Sequence, residues 1–195
     1  MFGFGNKREG DLLREKHSKR LEKQFLGRID TENIEYNKAL AKIKKPSTKK
    51  EFSYYVARED ALDLVREFQP FDPENPDTEL LRELRLAVQE KLEEYFGEFD
   101  DEDIKVFTAV DTPADFLHGI DAFLDIGNQT VTLDLTIRKE KDMVKSDVLI
   151  KLKEMPDLKD PAQEEAFLEE INSVAKEIFK KLDKESLKEL VKRAA

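Results

Sequence analysis

The chain contains no cysteine. Disulfides, thiolate zinc sites and cysteine nucleophiles are therefore excluded. Tryptophan is absent too, and there are only two histidines, His17 and His118. That scarcity argues against a histidine-rich metal site and leaves any Ser-His-Asp triad resting on one imidazole. No apolar run approaches the ~20 residues that a membrane-spanning helix needs. The first residues, MFGFGNKREG, lack the apolar stretch of a secretory leader. The expectation is a soluble, cytoplasmic protein with no membrane span.

What the chain does have is charge. Of its 195 residues 40% are charged and 39% hydrophobic, a balance that suits one domain with a modest core, or one domain plus an arm. The charge is unevenly placed. Residues 1–50 hold 14 Lys/Arg against 7 Asp/Glu, a net of +7, whereas residues 51–195 carry a net of −17. The division expected is a basic helical arm and linker over 1–50, followed by an α+β domain over 51–195. Such an asymmetry suits an arm that meets an anionic partner. Its densest part, KIKKPSTKK, places Lys42, Lys44, Lys45, Lys49 and Lys50 in a row, and these are the candidate nucleic-acid contacts. Pro46, Ser47 and Thr48 read as a linker. A solvated tail, or one docked on its own acidic body, is the plainer alternative. Phe2, Phe4, Tyr54 and Tyr55 carry rings that can stack on bases; packing of the two tyrosines on the body is the alternative.

Apolar periodicity lays out the elements. Leu12, Leu13, Leu21, Phe25 and Ile29 form a thin helical stripe, with a second short helix around Ile34, Leu40 and Ile43. Residues 58–68 read as an amphipathic helix with Leu62, Val65 and Phe68 inward. FQPFDPENPD, with three prolines in ten residues, breaks the chain. From Asp77 to Phe96 the apolar residues Leu81, Leu84, Val88, Leu92 and Tyr95 recur at helical spacing, and Gly97 stops the run. Residues 104–110 read as a strand, and Thr112-Pro113 as a turn. Strands follow over 119–126 and 130–139. Residues 145–152 fit strand or helix. A long amphipathic helix runs from Asp160-Pro161 to about Leu182, and a short one from about Lys184 to Arg193. The fold class is α+β: a small, mostly antiparallel sheet of three to four strands flanked by helices, with an N-terminal helical arm.

The chemistry centres on 119–139. Both runs alternate, and Gly127-Asn128 between them is a two-residue hairpin loop. The loop puts Ile126 opposite Gln129, so Leu124 meets Val131, Ala122 meets Leu133, Ile120 meets Leu135, and the apolar faces agree. The same register puts Asp121 opposite Asp134 on the other face. Like charges directly opposite are unfavourable; at ~5 Å and an effective dielectric of 20 the repulsion is roughly 3 kcal/mol. Three routes relieve it: protonation of one acid, the cation of Arg138 on the same face, or a divalent metal.

Gly119-Ile120-Asp121 in one strand and Leu133-Asp134-Leu135-Thr136 in the next resemble the core of the PD-(D/E)xK nuclease superfamily, with the helix over 77–96 and the strand over 104–110 as its opening helix and first strand. The resemblance covers about a third of the chain, 77–139. It implies Mg²⁺ or Mn²⁺ held by Asp121 and Asp134, with Glu90 or Glu94 completing the shell. Arg138 or Lys139 would neutralise charge on the scissile phosphate, and the basic arm would hold the polyanion. Two departures stand out. Thr136 occupies the family's lysine position, and only about eight residues separate Arg138 from Asp147, where the family inserts a helix. Three readings follow: a Mg-dependent hydrolase of DNA or RNA phosphodiesters, a non-enzymatic adaptor whose basic arm holds nucleic acid or an acidic partner, and a structural or assembly protein. On the plainest view, Asp121, Asp125, Thr132, Asp134, Thr136 and Arg138 form the solvated face of a hairpin. His118, Asp111 and Asp115 lie nearby, His118 as a packing residue or a base, the two acids as turn residues. Oligomeric state is left open.

Overall fold

The computed structural model describes residues 19–48, 52–97, 99–136, 144–152, 156–157 and 159–194, without the side chains of 101, 190 and 192–194. A helix covers 19–26 (α1) and is followed by α2 (Ile34–Ile43). Asn33 caps α2, its side-chain oxygen accepting from the Glu35 and Tyr36 amides, which satisfies N–H groups the first turn leaves unpaired. Two short strands, β1 (Lys45–Pro46) and β2 (Tyr54–Tyr55), then pair antiparallel, Lys45 with Tyr55 and Pro46 with Tyr54. Next come α3 (Arg58–Glu67), α4 (Glu79–Phe96), β3 (Ile104–Thr108), α5 (Pro113–His118), β4 (Ala122–Ile126), β5 (Gln129–Thr136), β6 (Val148–Lys151), α6 (Pro161–Lys181) and α7 (Lys184–Ala194).

The main sheet has the order β3-β4-β5-β6, with β3, β4 and β5 antiparallel and β6 parallel to β5. The fold is α+β, as expected, with helices on both faces. The hairpin register is as read from the loop: Ile126 pairs with Gln129, Leu124 with Val131 and Ala122 with Leu133. Gly127 takes φ +58° and Asn128 does not go positive, the pattern of a bend that needs glycine first. Residues 145–152, which fitted either type, supply β6.

One sheet face carries Ile104, Val106, Ala122, Leu124, Ile126, Val131, Leu133, Leu135, Val148 and Ile150. It packs on the apolar stripes of α4 and α6, and Leu21, Phe25 and Leu26 of α1 join the same core. The other face is a second core. Phe107 and Phe123 stack there at 4.8 Å between ring centres, under Ile29, Tyr36, Leu62, Leu64, Val65 and Ile120. At the outer side of β3, the Val106 amide donates to the Pro73 carbonyl. The Gln69 side-chain amide both donates to the Thr108 carbonyl and accepts from the Thr108 amide.

Several expectations need correction. The hairpin's polar face is not solvated: α3 covers it, and Thr132, Asp134 and Thr136 are buried. Thr112-Pro113 begins a helix instead of a simple turn: Thr112 accepts from the Ala114 amide and Pro113 sits in the first turn of α5, where its missing N–H costs nothing. Residues 119–121 precede β4 instead of belonging to it, and Ile120, expected opposite Leu135 on the aliphatic face, lies in the second core beside Phe107 and Phe123. Tyr95 is exposed and rests against Phe96 and Phe179. Packing also crosses the division expected at residue 50. The described part of the arm feeds both cores, and β1 and β2 pair from either side of that point. No helix among the described residues is long and apolar enough to cross a membrane. Phe2, Phe4, Leu12, Leu13 and His17 lie outside the described residues.

Candidate functional site

Two places collect the side chains that sequence reasoning singled out. The first is the end of the sheet where β4 starts and β5 finishes. Asp121 sits one residue before β4, and its amide donates to the Leu133 carbonyl at 2.9 Å, one residue out of the register that pairs Ala122 with Leu133. Its Oδ2 accepts from the Leu135 amide at 2.8 Å. Asp121 and Asp134 are both buried, at 6% and 2% exposure, and the Asp134 charge is among those that act on Asp121.

Burial, the charge of Asp115, and then those of Asp134 and Glu22 push the Asp121 carboxyl up to about 8, against the pull of the Leu135 amide. Asp115, on α5, is raised as well, chiefly by burial, while the Asp111 amide and Lys19 oppose the shift. The charges of three acids, from α5, β5 and α1, thus converge on Asp121. The repulsion expected between Asp121 and Asp134 is present and, unless a cation answers it, raises the Asp121 carboxyl toward its protonated form.

The fit to a divalent metal is poor. One oxygen of Asp121 is already engaged by a backbone amide. Among the described residues, no group of three or more Asp, Glu or His side chains is arranged to hold an ion. Glu90 and Glu94 are not brought to the pair: α4 packs on the opposite face of the sheet, both glutamates are exposed on it, and Glu94 pairs with Lys91. Arg138 and Lys139 lie outside the described residues. The rest of the polar face is occupied by structural contacts. Arg66 of α3 grips Asp125 through two nitrogens, at 2.8 and 2.9 Å, and its guanidinium lies over Phe123. Asp147 accepts from the Thr132 amide and hydroxyl, and Arg58 approaches both residues.

The second place is the surface formed by the end of α2, the β1–β2 ribbon and α5. Lys42, Lys44 and Lys45 are all exposed there, and no ion pair engages them among the described residues. Lys38, Lys91, Lys180 and Lys188 differ, each being paired with a glutamate three residues away on its own helix. Lys45 stands directly across the ribbon from Tyr55, which is 45% exposed. Tyr54, by contrast, packs on the second core and meets Phe116 edge to face. Phe52 lies against Phe116 at 6.3 Å. The His118 ring meets Tyr55 at 6.0 Å, and its Nε2 is hydrogen-bonded to the Val56 carbonyl. His118 is therefore a packing histidine that fixes Tyr55. Lys49 and Lys50 lie outside the described residues.

Sequence reasoning missed Asp115 and Glu22 as members of the acidic group, Arg66 as the partner of Asp125, and Phe116 as part of the aromatic surface. For Asp115 a signal existed: Thr-Pro-Ala-Asp is a helix start, which gathers acids into its first turn. Compared with known protein families, with curated proteins and with solved structures, the chain matches none.

Proposed function

We propose that this protein is a nucleic-acid-binding module, with Lys42, Lys44 and Lys45 contacting the phosphate backbone. The observation that carries this reading is a run of exposed lysines, unpaired among the described residues, beside an exposed aromatic ring. Lysines held by neighbouring glutamates have their charge answered already. These three are positioned to displace counterions from a polyanion. The body is acidic, so the attraction is local and short-ranged, within a Debye length of about 8 Å at physiological salt.

The test is binding of a fluorescent oligonucleotide across a salt series. Three backbone contacts to a single strand give a slope of about −2 in log K against log salt. Replacing Lys42, Lys44 and Lys45 together by Gln weakens binding and flattens that slope. Full binding by the triple variant defeats the reading.

A Mg²⁺- or Mn²⁺-dependent phosphodiesterase, as the family resemblance implies, has one observation on its side: the mutual repulsion of Asp115, Asp121 and Asp134, which a cation would relieve. The donor geometry above weighs against it. Thermal melts with and without Mg²⁺ separate the two readings. The binding-module reading expects no shift. A rise in Tm that disappears in Asp121→Ala and Asp134→Ala favours the hydrolase.

A further inference from the structure

We infer that the groove between the β1–β2 ribbon and α5 receives a base of a single-stranded nucleic acid, an inference that rests on the nucleic-acid reading above and adds the form of the ligand. The groove has a volume of about 340 Å³ and is lined by Lys45, Pro46, Phe52, Tyr55 and Leu117, with Ser47 and Thr48 at its polar side. Ligand pockets run from ~300 to 1,000 Å³, so it suits a small flat group rather than a large one. Its lining combines two flat rings, an aliphatic floor and one cation, and an unstacked base joined to a phosphate presents the complementary set: an aromatic face and an anion.

The rings are held in place before any ligand arrives. Tyr55 is braced by His118, which is itself hydrogen-bonded to the Val56 carbonyl. Phe52 leans on Phe116. Bracing lowers the entropy lost when a base stacks. Lys45 sits opposite Tyr55 in the ribbon, so its ammonium and the ring address adjacent parts of one nucleotide. A duplex keeps its bases paired and stacked, out of reach of a concave pocket; a single strand can turn one out. An acidic peptide without an aromatic or proline side chain would meet the lysines and leave the Tyr55 ring unused.

The experiment compares the full chain with fluorescein-labelled single strands of DNA and RNA, ten pyrimidines long, and with a duplex of equal length, by anisotropy at low salt. The expected result is a clear preference for the single strands. Tyr55→Ala is expected to cost about 5- to 150-fold in single-strand affinity, the range that loss of one base–aromatic stack carries, while duplex binding stays unchanged. Tyr55→Phe keeps the ring and is expected to keep affinity. Phe52→Leu, which preserves apolar packing on Phe116 but removes a flat face, provides an independent variant should Tyr55→Ala fold poorly.

Equal affinity for single strand and duplex, with Tyr55→Ala and Phe52→Leu both silent, overturns the groove assignment. The nucleic-acid reading survives that result if the triple lysine variant still loses binding. Absence of binding to every strand at low salt overturns both.

Discussion

Replacing Asp121 by Asn removes a charge but keeps an oxygen that can accept from the Leu135 amide. The substitution therefore isolates the electrostatics of the acidic group from its hydrogen bond. In the folded protein the Asp121 carboxyl is raised from an ordinary 3.8 to about 8, first by burial and then by Asp115. Between those two values the folded state holds a proton that the unfolded chain has released, so stability falls as pH rises. The penalty is absent below about pH 4, grows through the neutral range and is complete above about pH 8. A shift of that size corresponds to an upper limit of ~6 kcal/mol at about 1.4 kcal/mol per pH unit. Local relaxation and water entry reduce it to a few kcal/mol. Urea unfolding of both proteins at pH 5, 6, 7, 8 and 9 measures it. The two curves should lie closest together at pH 5, where about a quarter of the penalty has developed, and the Asn variant should become the more stable by about 2–4 kcal/mol at pH 9. Asp115 and Asp103 are also raised and tilt both curves in the same direction, so the difference between the proteins is the quantity to read. A difference that does not grow with pH would refute the account of a strained, proton-retaining acid.

Other perturbations probe the second core. Arg66→Met leaves Asp125 half-buried without its two-point partner and removes a cation from above Phe123. Denaturant titration should show a loss of about 1–3 kcal/mol, and Arg66→Lys should recover little of it because an ammonium cannot reproduce the planar fork. Tyr36 is fully enclosed, its ring edge-on to Phe68, and its hydroxyl has no hydrogen-bond partner among the described residues. Tyr36→Phe should therefore be neutral or stabilising by about 1 kcal/mol in the same assay; a loss of that size would reveal a partner for the hydroxyl. Thr112→Ala removes the oxygen that caps α5 and a hydroxyl that donates to the Ala109 carbonyl. Its expected cost is about 1–2 kcal/mol, read as a lower Tm.

The long helices were legible because their apolar residues recur along one stripe and their ends carry caps and stops, as at Gly97 and Asp160. The hairpin register was legible from Ala122 to Ile126 because a two-residue loop leaves one alignment that puts their aliphatics beside Val131 and Leu133; it fails at Ile120, which turns into the second core ahead of β4. The other side was misread for a physical reason. Alternating Asp and Thr along β5 look solvated, and burial of that face depends on α3, whose Arg66 reaches Thr130 from 64 residues away in sequence. Phe107 and Phe123, on that same face, were the overlooked signal, since two large rings do not sit on a solvated surface without cause. For Glu90 and Glu94, helical periodicity located the exposed stripe of α4 but could not say which sheet face the helix would cover. The lysines at 42, 44 and 45 were visible in the sequence, whereas their freedom from ion pairs among the described residues, and the position of Lys45 across from Tyr55, come from the structure.

The outer rim of β3 has a consequence for how molecules of this protein meet one another. A bare strand offers its amides and carbonyls to any passing chain and so invites growth of the sheet and aggregation. Here Gln69 and Pro73 stand in for the missing neighbour, Gln69 supplying both a donor and an acceptor at Thr108. Two loop residues act as a stopper on that rim, and the proline-rich break after α3 becomes a guard against runaway self-assembly as well as a connector.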